Sequence, residues 1–277
     1  MKKMKNNSQL PKIVSRNEWF KARKKLLDEE KELTRLRDQL SAKRRRLPMV
    51  KVEKDYVFEG PADKASLLDL FDGHRQLIIG HFMFAPEWEK GCPSCSSSAD
   101  EISKAHLEHL HASKTSFTYV SRAPLDKIEA YRAQKGWTFP WYSSYGSDFN
   151  YDFHVTLDES VAPIEYNYRT KAEHEEAGTS YYFEGEQPIE LPGFSFFLRD
   201  GDSVFHTYST YARGGEMIGG SHYMLDLTAL GRQEAWEEPL NREAGLLLVD
   251  QKVDRIHDEY DDSRASDSCC SSSKGNS

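Results

Sequence analysis

Cysteine is scarce in this chain. Its 277 residues include four, Cys92, Cys95, Cys269 and Cys270, in two tight pairs far apart. A secreted scaffold stapled by disulfides needs more of them, more widely spread. Long apolar runs are also missing. The longest, Leu77 to Ala85, is broken by Gly80 and His81 and falls far short of the roughly 20 residues that span a bilayer. The first residues, MKKMKNN, are basic but lead into no apolar stretch, so no secretory signal is expected. These absences predict a cytoplasmic protein with no membrane partner. In that reducing setting a close cysteine pair is more often catalytic or metal-binding than structural.

Positive charge is lacking overall but not locally. The net charge is -8, which argues against a general nucleic-acid binder, and none is expected as a partner. Residues 1–50 hold 16 Lys+Arg against 6 Asp+Glu, a local +10 that leaves -18 for the remainder. The plain reading is a solvated helix whose positive surface leans on an acidic body. Mean hydropathy is low at -0.73, yet 14 Phe, 14 Tyr and 5 Trp are ample material for a core.

Three regions follow from the pattern: a helical amphipathic arm over 1–48, a body over 49–254 and a polar, Ser-rich tail over 255–277 expected to be disordered. In the arm, Ser15 and Glu18 fit a capping box. Trp19, Leu26, Leu33, Leu40 and Leu47 recur every seven residues with Leu36 beside them, and Pro48 ends the run. Such a helix lies over its own domain or pairs with a second copy as a homodimer. The stripe is incomplete, because Glu29 and Lys43 stand where a second seam would run.

In the body, Tyr56–Phe58 reads as a strand and Ser66–Phe71 as a short helix. Leu77–Phe84 is a continuous apolar run of strand length, suited to burial on both faces. A helix is expected over Ala99–His111, a strand over Phe117–Val120 and a helix from Pro124 to Gly136. Strand, Cys-x-x-Cys loop, helix and strand make a βαβ unit with parallel strands. The segment 137–192 reads as an insertion. Phe194–Leu198 and Val204–Tyr208 flank the turn Arg199-Asp-Gly-Asp202 as a hairpin, and a closing helix is expected over Asp226–Trp236.

The chemistry centres on Cys92-Pro-Ser-Cys95. A dithiol site needs two sulfurs one helical turn apart and one of them ionised near neutral pH. Unpaired N–H groups and the dipole at a helix N-terminus favour that anion. Cys92 is therefore the expected nucleophile and Cys95 the resolving thiol. Pro93 stiffens the turn, and Ser94 is small enough to leave the Cys92 sulfur open. Trp88, Pro93 and Pro192 are the expected substrate-docking residues. Pro192 stands before the hairpin, where thioredoxin-like folds carry a cis-proline whose backbone docks a substrate peptide. Neither metal nor cofactor is expected. One competing reading is structural zinc, completed by Cys269 and Cys270 or by His106, His109 and His111; another is a redox-idle binding module. The peroxiredoxin pattern, which resembles Pro-x-x-x-Thr/Ser-x-x-Cys, finds Glu89 three residues before Cys92 and Cys92 three before Cys95, so that class is disfavoured. His81 reads as a core histidine, Arg122 and Arg213 as surface charges, and Cys269-Cys270 as incidental to the tail.

Long stretches also resemble a known family: HFMFAPEWEKGCPSCSSSADE (81–101), SRAPLDKIEAYRAQKGWTFPWYSSYGSDFNYDF (121–153), LPGFSFFLRDGDSVFHTYSTYARG (191–214), YMLDLTALGRQE (223–234) and RRRLPMVKVEKDYVFEGP (44–61). The chain is similar over about residues 10–240 to a bacterial thioredoxin-like family that genomes label dithiol–disulfide oxidoreductases, with function otherwise unassigned. The resemblance implies a thioredoxin-like α/β fold of three layers with a central mixed sheet, here with a long N-terminal helix and an insertion before the C-terminal hairpin. It also implies a redox-active Cys92/Cys95 that exchanges electrons with a disulfide substrate or thiol donor. The chain departs from the family in the serine run after Cys95, where aromatic residues are usual, and in the Cys269-Cys270 tail.

Overall fold

The computed structural model describes residues 11–218 and 220–229. The arm is a single helix, α1 (Arg16–Arg44). It starts as the capping box dictates, with the Glu18 N–H donating to Ser15 Oγ at 3.3 Å and the Ser15 N–H donating to Glu18 Oε2 at 3.0 Å. None of its 29 residues is buried. Its second half touches the body, with Arg37 over the Tyr223 ring and Arg44 over the Tyr208 ring.

The body follows as β1 (Val50–Lys51), β2 (Val57–Glu59), β3 (Lys64–Ser66), β4 (Gln76–His81), α2 (Pro93–Asp100), α3 (Lys104–Ala112), β5 (Thr115–Ser121), α4 (Leu125–Lys135) and β6 (Trp141–Ser143). Next come α5 (Phe149–Asp152), β7 (Thr156–Leu157), β8 (Glu165–Tyr166), β9 (Arg169–Thr170), α6 (Lys171–Glu176), β10 (Ile189–Glu190), β11 (Gly193–Asp200), β12 (Ser203–Tyr211) and α7 (Ser221–Asp226). One mixed sheet of eight strands runs β1-β12-β11-β4-β5-β6-β2-β3. β4, β5 and β6 are parallel, and β11 closes on β4 antiparallel. This is the three-layer, thioredoxin-like α/β architecture.

The sheet separates two apolar layers because side chains alternate along each strand. Phe82, Tyr119, Trp141 and Phe194 pack with residues of α2, α3 and α4 on one face. Leu77, Ile79, Val120 and Phe197 pack with Phe58, Phe71 and Phe149 on the other. A third cluster, with Val155, Leu157, Tyr166, Leu191 and Tyr211, sits under the segment after β6.

Four expectations meet a different outcome. Ser66–Phe71 is the end of β3 and a 3-10 turn, Asp69–Phe71, because the Asp69 carboxylate takes both the N–H and the hydroxyl of Ser66. The helix expected over Ala99–His111 is broken after Asp100 and restarts as α3, where Ser103 Oγ accepts the His106 N–H. The segment 137–192 is not wholly an insertion: Trp141–Ser143 is an inner strand of the sheet, between β5 and β2. α7 ends at Asp226, where the closing helix was to begin. Most of Asp226–Trp236, like the tail 255–277, lies outside the described residues. No helix among the described residues is long and apolar enough to cross a membrane.

Candidate active site

The Cys92 loop hangs from the C-terminal end of β4. The Phe82 N–H donates to Val120 O at 3.0 Å, which carries the β4–β5 pairing one residue past the ladder. The chain then loops through Met83–Gly91 and returns, with the Cys92 N–H donating to Met83 O at 2.9 Å. Gly91 makes that return possible. A Cβ there would stand 2.6 Å from the Phe82 ring and 3.0 Å from the Tyr131 ring.

Cys92 is the N-cap of α2 and Pro93 opens the helix. The first helical bond runs from the Ser96 N–H to Cys92 O at 2.9 Å, and Ser96 Oγ reaches the same oxygen and also Tyr131 OH at 3.0 Å. Both cysteines are free thiols and partly exposed, with Pro93 and Ser94 at the surface between them. Cys92 is pulled down from an ordinary 9.0 to about 7. The main cause is a hydrogen bond from the Cys95 thiol; burial opposes it, and the N–H groups of Cys95 and Ser94 with the Ser94 hydroxyl add to it. Cys95 moves the opposite way, well above its ordinary range, because it holds its proton for Cys92 and its thiol is shielded from solvent. One sulfur is thus poised as an anion and the other as its donor, the division of labour that dithiol chemistry requires.

The remaining sequence candidates fall around this loop. Trp88 is half-buried against the aromatic layer beneath α2, and its carbonyl accepts from Lys127 Nζ at 3.1 Å. Pro192 precedes β11, but its peptide bond is not cis; the cis X–Pro bond among the described residues is Gln187–Pro188. Gly193 pairs with His81, and continuing that register by two residues sets Pro192 beside Phe82 and Leu191 beside Met83. Pro192 therefore lies at the end of the sheet from which the Cys92 loop leaves.

Two features, at Arg122 and Tyr166, were missed by the sequence reading. Arg122 is not a surface charge. Its Nε donates to Glu190 Oε1 at 2.6 Å, with the two side chains 12% and 2% exposed. Tyr151 OH and Thr156 Oγ1 complete the cluster at 2.9 and 3.0 Å. Burial raises the Glu190 pKa against the pull of Arg122. Tyr166, in β8, donates its hydroxyl to Pro192 O at 3.2 Å and accepts the Ala212 N–H at 3.1 Å. Burial raises its pKa, and the nearby Cys95 adds to that. His81 is a core histidine, but only half satisfied. Nε2 meets Ser195 Oγ at 2.8 Å while Nδ1 is buried without a partner among the described residues. Arg213 does behave as a surface charge, paired with Glu216. Among the described residues no three His, Cys, Asp or Glu side chains converge as metal ligands; Cys269 and Cys270 lie outside them.

The sheet order and the cysteine pair opening α2 define a thioredoxin-like protein with a Cys-x-x-Cys motif at a helix N-terminus. Residues 8–260 match the model of the family described as "bacterial protein of unknown function (DUF899)", and the chain belongs to that family. No curated protein matches the sequence. Among solved structures it is similar to a cysteine-to-serine variant of peroxiredoxin Q from Xanthomonas campestris, at 12% identity and a TM-score of 0.41, covering 62% of this chain and 90% of that one. A hypothetical protein from Sinorhizobium meliloti gives 11% identity and 0.37 over 65% and 81%. A peroxidoxin from Mycobacterium tuberculosis gives 12% and 0.33 over 62% and 93%. Likeness at this level says nothing about chemistry.

Proposed function

We propose that the protein is a thiol–disulfide oxidoreductase working through Cys92 and Cys95 in the cytoplasm, with a disulfide substrate and a thiol donor as its partners. The observation that carries the reading is the placement of two free thiols at the start of α2, Cys92 as its N-cap and Cys95 in its first turn, an arrangement that lowers the Cys92 pKa and raises that of Cys95. Cys92 as thiolate attacks one sulfur of a disulfide, forming a mixed disulfide and releasing the other sulfur as a thiolate. Cys95 then loses its proton and attacks Cys92 Sγ, releasing the second thiol and leaving a Cys92–Cys95 disulfide. Two electrons pass from the protein to the substrate, and an external thiol restores the pair.

The test uses a chain in which Cys269 and Cys270 are replaced by serine, mixed with an aromatic reporter disulfide. The parent releases both reporter thiols and ends as an intramolecular disulfide. Cys95→Ser stops at a one-to-one adduct, and Cys92→Ser releases nothing above background. Equal reactivity of Cys92→Ser and the parent would rule the reading out.

A further inference from the structure

Thiolate attack needs the substrate disulfide laid beside Cys92, and the usual way to hold an extended peptide is to add it as a strand to a free edge. Here two of the polar backbone atoms just before β11 are already engaged. Leu191 and Pro192 come directly before Gly193, where the β4–β11 ladder ends opposite His81, and proline has no N–H to offer a strand partner. The Leu191 N–H donates to Val155 O at 2.8 Å. Pro192 O accepts from Tyr166 OH. The two residues before them, Ile189 and Glu190, pair with Leu157 and Thr156 of β7. All of these partners come from the segment between β6 and β11.

The bond pattern is reinforced by packing and charge. Val155, Leu157, Tyr166 and Leu191 share one buried cluster, so β7 is held against Leu191 by side chains as well as by main chain. The Arg122–Glu190 ion pair and the Thr156–Glu190 hydrogen bond pin the same two strands beside Ser121, the end of β5. Displacing β7 to admit a peptide would strip Leu191 of its acceptor and expose a buried charge pair.

We infer that the protein's own segment Val155–Leu157 fills the strand-docking position next to Cys92, and that its substrates are low-molecular-weight disulfides rather than extended polypeptides. This rests on the dithiol reading above and narrows it. The electron balance is unchanged. One small disulfide takes two electrons and two protons and leaves as two thiols, the protein becomes the Cys92–Cys95 disulfide, and an external dithiol reduces it again. A small disulfide needs only the opening at Cys92, Pro93 and Ser94, which is at the surface.

The experiment compares cystine and hydroxyethyl disulfide with insulin, using dithiothreitol as electron donor, the serine-tailed chain as enzyme and Cys92→Ser as background. A second readout uses Cys95→Ser, whose Cys92 should appear by mass as a mixed disulfide with half-cystine but not with an insulin chain. Turnover and trapping of the small disulfides, with insulin at background, is the expected result. Turnover of insulin at a rate comparable with cystine overturns the inference and leaves the dithiol reading standing. Turnover of neither, with no adduct on Cys95→Ser, overturns both.

Discussion

A thiol with a pKa near 7 is about half ionised at neutral pH, whereas an ordinary cysteine, at about 8.5 or above, is at most a few per cent thiolate. For Cys92 the largest contribution is the proton offered by Cys95. Alkylation of Cys92 by iodoacetamide should therefore follow a midpoint near 7. In Cys95→Ala the midpoint should move up toward the ordinary value, read from the pH–rate profile by peptide mass. His81 sets a second pH dependence. Its pKa is lowered to about 3 by burial, with His206 adding to the effect. Between that value and the ordinary 6.5 the unfolded chain binds a proton that the folded chain refuses. Stability is then full above about pH 6.5 and falls as pH drops, by up to about 1.4 kcal/mol per unit from this group. His81→Asn should flatten that slope in urea titrations between pH 6 and 4. Arg122 offers a third test at this scale. Its removal leaves Glu190, 2% exposed, without its counter-charge, and Arg122→Ala should cost about 3–5 kcal/mol in urea unfolding. A loss under about 1 kcal/mol, the level of a surface pair, would show the ion pair to be dispensable.

At the scale of elements, the loop into α2 depends on a residue with no side chain. Gly91→Ala drives a methyl into the Phe82 and Tyr131 rings, and overpacking of this kind costs about 1–3 kcal/mol. Because the same return carries the Cys92 N–H to Met83 O, the variant should also raise the Cys92 alkylation midpoint. An unchanged midpoint would separate the loop's packing from its chemistry. The arm carries our remaining proposal about partners. Trp19, Leu26, Leu33 and Leu40 are 45–55% exposed along one stripe, which we propose meets the same stripe of a second chain. Light scattering should give twice the chain mass, and Leu26→Glu with Leu33→Glu should halve it. A monomeric parent removes this proposal without touching the site. Elements set by nearby residues were readable in the sequence. The Ser15–Glu18 box, the Gly136 stop with its φ of 69° and the β11–β12 hairpin all depend on neighbours in the chain. Elements set by distant partners were not. Arg122 finds Glu190 68 residues away, and β7 finds β10 after more than 30. No local pattern announces either. The trans geometry at Pro192 belongs with these, since the segment it ends is pinned by Val155 and Tyr166.

For the whole molecule, the βαβ unit that presents Cys92 was legible because its strands carry short apolar clusters, Leu77–Ile79 in β4 and Phe117–Val120 around Thr118 in β5, flanking the Cys-x-x-Cys motif. The inner position of Trp141 was not, since a three-residue strand between Pro140 and Ser144 offers no periodicity to read. Trp141 is nonetheless fully buried and donates its indole N–H to Ser121 Oγ at 2.9 Å, tying β6 to β5. The arm bears on the molecule in another way. At about 1.5 Å per residue a 29-residue helix is a rod about 44 Å long, with no buried residue and with Arg37 and Arg44 of its second half resting on the body. Friction in solution grows with such a rod faster than mass does. A lone chain should therefore sediment slowly and leave a sizing column early, imitating an assembly it has not formed.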